Sequence, residues 1–321
     1  MIGHYTWGHL TLFMAGVAVC LLMDLRAHRR DEAVSVQNAL LWSVIWIALS
    51  LCFAVYIALS HGAQDASLYL AGYLLEKSLS VDNLFVIMAI FSSFAIKDEF
   101  QHRVLYYGIL GALALRMAFV AAGSSLVLLF GPYALASFGV FVLWSAWKMW
   151  QQMGKSEEEI EDYTNHWAVA WTRKFFPVHH KMDGHNFFVK APDGAGVARK
   201  ATPLFLCLVV VEISDIMFAF DSVPAVIAVT QDPFLVYTSN IFAVLGLRSL
   251  YFLLAAAKRY LCHLEKAVIV VLVYIGLKML LDVAGVVHMS PLFSLAVVCL
   301  LLAGGVLASI VLPEQERKET R

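Results

Sequence analysis

Glu76-Lys77-Ser78-Leu79-Ser80-Val81-Asp82-Asn83 lies inside the apolar run Leu68–Phe94, and Glu212-Ile213-Ser214-Asp215, followed by Asp221-Ser222-Val223-Pro224, lies inside the run Pro203–Val229. Each run is long enough to cross a bilayer, whose hydrocarbon core of about 30 Å needs roughly 20 helical residues. A charge at the centre of a spanning helix costs about 2.5–3.5 kcal/mol even on insertion scales. Five acids in two such runs (Glu76, Asp82, Glu212, Asp215 and Asp221) must therefore face one another, basic side chains or a cation.

The composition agrees with a membrane solvent. Of 321 residues, 61% are hydrophobic and 15% charged, and mean hydropathy is +0.75; soluble domains run at about 45–50% and 25%. An all-α, polytopic transmembrane bundle follows. A net charge of −1 argues against a nucleic-acid partner. The five cysteines form no CxxC, so neither a disulfide framework nor a zinc site is expected. No Lys or Arg precedes the first apolar run, which therefore reads as a retained span.

Runs of suitable length place nine spans at His9–Asp24, Asn38–Leu59, Leu68–Phe94, Val104–Phe130, Tyr133–Gln152, Pro203–Val229, Phe234–Ala257, Ala267–Leu281 and Pro291–Leu312. Eighteen Lys and Arg fall between spans or at the end of the chain, all on one side in this threading, and the other side has none. That asymmetry puts the N-terminus outside and the C-terminus in the cytoplasm. The remaining five basic residues, Lys77, Arg116, Lys148, Arg248 and Lys278, sit inside spans, opposite five buried acids.

The charged positions recur in order. Glu76-x-Ser78 and Asp82-Asn83 match Glu212-x-Ser214 and Asp221-Ser222; the next span carries Arg116 or Arg248, and the one after it Lys148 or Lys278. The Arg-to-Lys spacing is 32 residues in one half and 30 in the other. An odd number of spans per copy makes the repeat inverted, a plan that recurs in secondary transporters with the site where the copies meet. The chain divides into residues 1–37 (first span and loop), 38–67 (second span), 68–152 (repeat A), 153–200 (a cytoplasmic insert), 201–285 (repeat B) and 286–321 (last span and tail). Within the insert, Glu157–Asp162 reads as a solvated helix face and Trp167–Phe176 as a membrane-surface helix. Phe187–Val189, Pro192-Asp193-Gly194 and Val197–Ala201 predict a small hairpin. His179, His180 and His185 read as a wet polar loop rather than a metal sensor.

Helical spacing aligns Glu76, Ser80 and Asn83, and also Glu212, Asp215 and Ser222. Asp82 and Asp221 fall on another side. Pro224 predicts a break that would bring Asp221 back and free backbone carbonyls. The donors are all oxygen: the five acids with Asn83, Ser78, Ser80, Ser214, Ser222 and Asn240. Such a set suits Mg²⁺, Ca²⁺ or Mn²⁺. With no His in either span, zinc and copper are disfavoured, and Met88 and Met217 are weak hints of a softer ion. Arg116, Arg248 and Lys77 are the expected charge partners. The two arginines fit either fixed counter-ions or moving gates, the fixed role being the one expected; Lys148 and Lys278 lie near span ends, where they can snorkel.

The segments Gly72–Asn83, Val211–Ala225, Thr238–Ala243 and Leu245–Arg248 resemble the TerC/Alx family of integral membrane proteins, the likeness extending over roughly Asn38 to Leu281. The resemblance implies a bacterial inner-membrane protein of seven to nine spans, linked to tellurium resistance and to Mn²⁺ export, and akin to LysE-type exporters. It points to Glu76, Asp82, Glu212, Asp215 and Asp221 as the ion-binding acids.

The reading that joins these observations is an exporter of a divalent cation, Mn²⁺ first, working by alternating access at a midplane carboxylate site, with protons returning on the same acids. The ion is then cargo and no resident cofactor is expected. The alternative is a non-transporting membrane organiser acting through its insert. An enzyme is not expected: paired aspartates suggest an aspartyl dyad, but no H-E-x-x-H motif accompanies them.

Overall fold

The structure, a computed structural model, describes residues 11, 13–17, 19, 36–152, 164, 167–179, 184, 186–193, 196–257, 264–286 and 289–311. Its elements are α1 (Val36–His61), α2 (Ala63–Ser93), α3 (Asp98–Phe130), α4 (Pro132–Gln152), α5 (Trp167–Phe175), β1 (Phe188–Asp193), β2 (Gly196–Ala201), α6 (Pro203–Val229), α7 (Pro233–Val244), α8 (Leu247–Ala257), α9 (Leu264–Val283) and α10 (Pro291–Val311). The described part of the first expected span is helical as well.

The helices α1, α3, α6 and α10 are long and apolar enough to cross a membrane, and α7 with α8 makes a further span if the bent pair is taken together. Helix α2 is equally long, but Glu76, Lys77 and Asp82 interrupt its apolar run. Helices α4 and α9 stand where spans were expected.

Local sequence explains the boundaries. Pro203 opens α6 and Pro233 opens α7, first-turn positions where a missing N–H costs nothing. Asp232 caps α7, its Oδ1 accepting from Phe234 N at 2.8 Å and Leu235 N at 3.4 Å.

The expected break at Pro224 is absent. Helix α6 runs unbroken from Pro203 to Val229 with Pro224 inside it. Its neighbours Val223, Ala225 and Val226 are buried in one apolar cluster, and that packing offsets the roughly 3 kcal/mol of an interior proline. The break falls instead between α7 and α8, which meet at 43°. Gly246 sits there at φ +82°, in the left-handed region that glycine enters freely. A Cβ on Gly246 would lie 2.7 Å from the Trp46 ring, so α1 also presses on the break.

Helix α2 packs against α1, α6, α7 and α8, while α3 packs against α6 and α7 and α4 lies along α9. Helix α10 covers α2 and α9. Near Gly139 and Gly276, α4 and α9 approach so closely that a Cβ on Gly276 would come within 3.1 Å of the Gly139 carbonyl oxygen. The predicted hairpin forms: β1 pairs antiparallel with β2, from Phe188 opposite Ala201 to Asp193 opposite Gly196. It leads directly into α6, and Thr202 Oγ1 ties the junction by donating to Asn186 O at 2.8 Å.

Three apolar clusters form the core. One joins the C-terminal half of α2 to the N-terminal turns of α3 and α6. A second joins α4, α9 and the C-terminal half of α6. The third joins α1, the start of α2 and α7. The polar residues singled out above fall where helices pass from one cluster to another. Glu76 lies between Tyr73 and Val81, Arg116 between Leu113 and Val120, Asp215 between Val211 and Ala219, and Asn240 between Val236 and Ile241.

Candidate functional site

Four helices converge on the guanidinium of Arg116. Helix α3 delivers Arg116 itself, 98% removed from solvent, and α2 delivers Glu76, fully buried. Nη1 of Arg116 is ion-paired with Glu76 Oε1. Nη1 also donates to Ser222 Oγ at 3.3 Å and to Asn240 Oδ1 at 3.4 Å. Nη2 reaches Asp215 Oδ1 at 3.5 Å. Asn240 closes the ring by donating Nδ2 to Glu76 Oε2 at 3.3 Å. The planar fork of an arginine suits this arrangement, because its donors diverge in fixed directions.

The cluster sits deep in the bundle. Asp215 is 12 residues after Pro203 and 14 before Val229, the ends of α6. Three buried polar atoms in the cluster, Glu76 Oε1, Arg116 Nε and Asp215 Oδ2, make no hydrogen bond among the described residues, and of these Glu76 Oε1 is ion-paired with Arg116. An unsatisfied carboxylate oxygen at such a depth is unusual, since buried polar groups are nearly always paired.

Glu212, one turn before Asp215, lies against Gly111 of α3. A Cβ at Gly111 would occupy the position of the Glu212 carboxylate. Glycine here admits the acid between α3 and α6, a role that the sequence reading did not assign. A lone Gly in an apolar helix is the signal of such close approach.

Other expected members fall elsewhere. Lys77 was expected to pair with an acid; its Nζ donates instead to the carbonyls of Ala243 at 3.2 Å and Leu245 at 3.5 Å. It thereby satisfies carbonyls freed where α7 ends, a common use of lysine at a helix C-terminus. Arg248 is buried, with Nη1 3.1 Å from His102 Nε2 on α3; His102 was not anticipated. Ser78, Ser80 and Ser214 donate to carbonyls four residues earlier, at Leu74, Glu76 and Val210, and so bond to their own helices. Asn83 is half-buried on α2, seven residues or about 10 Å along the axis from Glu76. Asp82 and Asp221 are carried by α2 and α6, but their side chains lie outside the described residues, as do His180, His185 and the acidic run Glu157–Asp162. Lys148 is exposed, with Nζ 5.5 Å from the centre of the Trp144 ring. Among the described residues no group of three or more His, Cys, Asp or Glu is arranged to hold a metal ion. Glu76 and Asp215 share the Arg116 fork.

Residues 61–317 match the family model described as "Integral membrane protein TerC family". The chain belongs to the TerC family. It is 45% identical to the "Tellurium resistance protein TerC" of Serratia marcescens, over 97% of this chain and 95% of that protein. It is 40% identical to the "Putative membrane-bound redox modulator Alx" of Escherichia coli K12, over 86% and 85%. It is also 43% identical to the chloroplastic "Thylakoid membrane protein TERC" of Arabidopsis thaliana, over 82% of this chain and 66% of that one. No solved structure matches it. As a member of this family the chain is an integral membrane protein, and lipid surrounds its spans.

Proposed function

We propose that the protein moves a divalent metal cation, Mn²⁺ first among candidates, out of the bacterial cytoplasm by alternating access at the Glu76–Asp215 cluster. The observation that carries this reading is the convergence of Glu76, Asp215, Ser222 and Asn240 on one bound cation, the guanidinium of Arg116. Oxygens that hold a guanidinium are oxygens that suit a hard metal ion. The free lone pairs of Asp215 Oδ2 supply coordination that the arginine leaves unused. Because its fork occupies the ligands themselves, Arg116 is here assigned the moving role rather than the fixed one expected from the sequence: it keeps the carboxylates ionised while no metal is bound and swings aside when one arrives. Glu212, Asp82 and Asp221 lie on the same two helices and complete the ligand set during transfer. Protons returning on the acids would balance the charge.

The helix neighbours support an inverted repeat. Exchanging α2, α3 and α4 with α6, the α7–α8 pair and α9 maps the packing of α3 on α6 onto that of α2 on α7 and α8. It leaves the α2–α6 and α4–α9 pairs unchanged. Such a plan places a broken helix beside the site, and α7–α8 carries both Asn240 and the break. With nine spans, the distribution of basic residues favours an N-terminus outside and a C-terminus on the cytoplasmic side of the inner membrane.

The test is metal flux into proteoliposomes, offered Mn²⁺, Ca²⁺, Mg²⁺ and Zn²⁺ in turn, with and without a pH gradient. Mn²⁺ flux above that of empty liposomes, lost in Glu76→Gln and Asp215→Asn proteins that still fold and insert at the wild-type level, is the expected result. Equal flux with both acids neutralised overturns the reading. No flux of any ion from intact protein favours a non-transporting organiser.

A further inference from the structure

The short helix α5 presents two opposed faces. Ala168, Val169 and Thr172 are buried, and Ala168 and Val169 join the apolar cluster that contains Leu204, Leu206 and Cys207 of α6. This fixes α5 at the end of the bundle where α6 begins. On the other side Trp167, Trp171 and Phe175 are 60%, 56% and 63% exposed. They are spaced four residues apart, so they form one stripe along the helix, and the Trp171 and Phe175 rings meet edge to face at 4.8 Å.

The stripe is continuous with the start of a span. Phe176, next in the chain, has its ring 5.8 Å from Phe188 and 5.5 Å from Phe205. Phe205 is the third residue of α6. The aromatic row thus runs from α5 onto the first turn of a helix long and apolar enough to cross the membrane. The charges beside it have one sign: the exposed, described charged side chains of α5 and the hairpin are Arg173, Lys174, Lys190 and Arg199. Arg199 stacks over the Phe188 ring at 5.0 Å.

Exposed Trp and Phe next to Lys and Arg, at the level where a span begins, match the chemistry of a bilayer interface. Amphipathic rings settle between headgroups and acyl chains, and basic side chains meet lipid phosphate. We infer that α5 lies in the headgroup layer of the leaflet where α6 enters. Trp167, Trp171 and Phe175 sit at the acyl boundary, and Arg173 and Lys174 hold anionic headgroups. The occupant of this face is the protein's own membrane. The anchor fixes the insert and the first turn of α6 relative to the bilayer, and it is independent of any transported ion.

The test uses the full chain in lipid nanodiscs and compares tryptophan emission from wild type with that of the Trp167→Phe/Trp171→Phe double variant. The difference isolates the two α5 tryptophans, and phenylalanine keeps an aromatic ring at each position. Lipids brominated near the glycerol end of the acyl chain are expected to quench that component more than lipids brominated near the methyl end. A component untouched by bromine and quenched by acrylamide places the stripe in water and overturns the inference. A component shielded from both assigns the stripe to a protein contact and also overturns it, as does quenching no stronger from shallow than from deep bromines. For the basic residues, Arg173→Gln/Lys174→Gln is expected to red-shift the emission in phosphatidylglycerol discs and leave it unchanged in phosphatidylcholine discs. The same emission from wild type and variant in both lipids overturns the headgroup assignment.

Discussion

Arg116 and Glu76 form an ion pair between α3 and α2 with both side chains removed from solvent. Each charge is tolerable there only because of the other. Breaking a buried pair from one side leaves an uncompensated charge and costs about 3–5 kcal/mol. Arg116→Gln should therefore lower the melting temperature of the protein in nanodiscs sharply. The Glu76→Gln/Arg116→Gln double variant should recover part of the loss, because neither charge is then stranded. Losses that simply add would contradict the pairing.

Gly111 makes room for the Glu212 carboxylate between α3 and α6. Gly111→Ala should destabilise by about 1–3 kcal/mol, the usual range for overpacking. In a Glu212→Ala background the same substitution should cost much less, since the space is then vacant. Denaturation midpoints of the four proteins check this, and an equal cost in both backgrounds would exclude the contact.

Lys77 supplies donors to two carbonyls at the end of α7. Lys77→Met keeps the length and removes the donors, leaving those carbonyls without that partner at a cost of about 1–3 kcal/mol. Hydrogen exchange should accelerate at the start of α8, around Leu247–Leu250. Unchanged protection there would show that Lys77 does not hold the break.

Gly246 combines a left-handed backbone with the Trp46 ring against its missing side chain. Gly246→Ala should cost about 1–2 kcal/mol from the backbone alone, with the Trp46 overlap added. Trp46→Ala should relieve only the second part, which a double-mutant cycle of thermal melts would resolve.

Much of this molecule could be read from the chain. Apolar runs located the helices, since a span must satisfy its own backbone inside lipid, and the aromatic and turn residues of the insert located both α5 and the hairpin. Glu76, Asp215, Asn240 and Arg116 stand out because charges and amides inside apolar runs are rare, and Ser222 stands out as an oxygen donor beside Asp221. Their grouping was less legible. Helical spacing relates residues on one helix, whereas Arg116 meets Glu76, Asp215 and Asn240 across three others. Lys77 went to carbonyls because α7 ends at Val244, just before the break at Gly246. The break was assigned to Pro224, since proline is the stronger general breaker, but tight packing around Val223 and Val226 carries α6 through it. Gly246, with Trp46 pressed on it, was the weaker signal in sequence and the decisive one in three dimensions. Serine hydroxyls at Ser78, Ser80 and Ser214 looked like ligands by type, yet each had a carbonyl of its own helix four residues away.

In the proposed transport cycle, the acids gripping Arg116 also grip the cargo. The most direct test is equilibrium Mn²⁺ binding to the protein in nanodiscs, followed by the loss of the free-ion electron paramagnetic resonance signal. Wild type should bind saturably, and a folded Glu76→Gln/Asp215→Asn protein should not bind at all. Undiminished binding by that double variant would contradict the cycle.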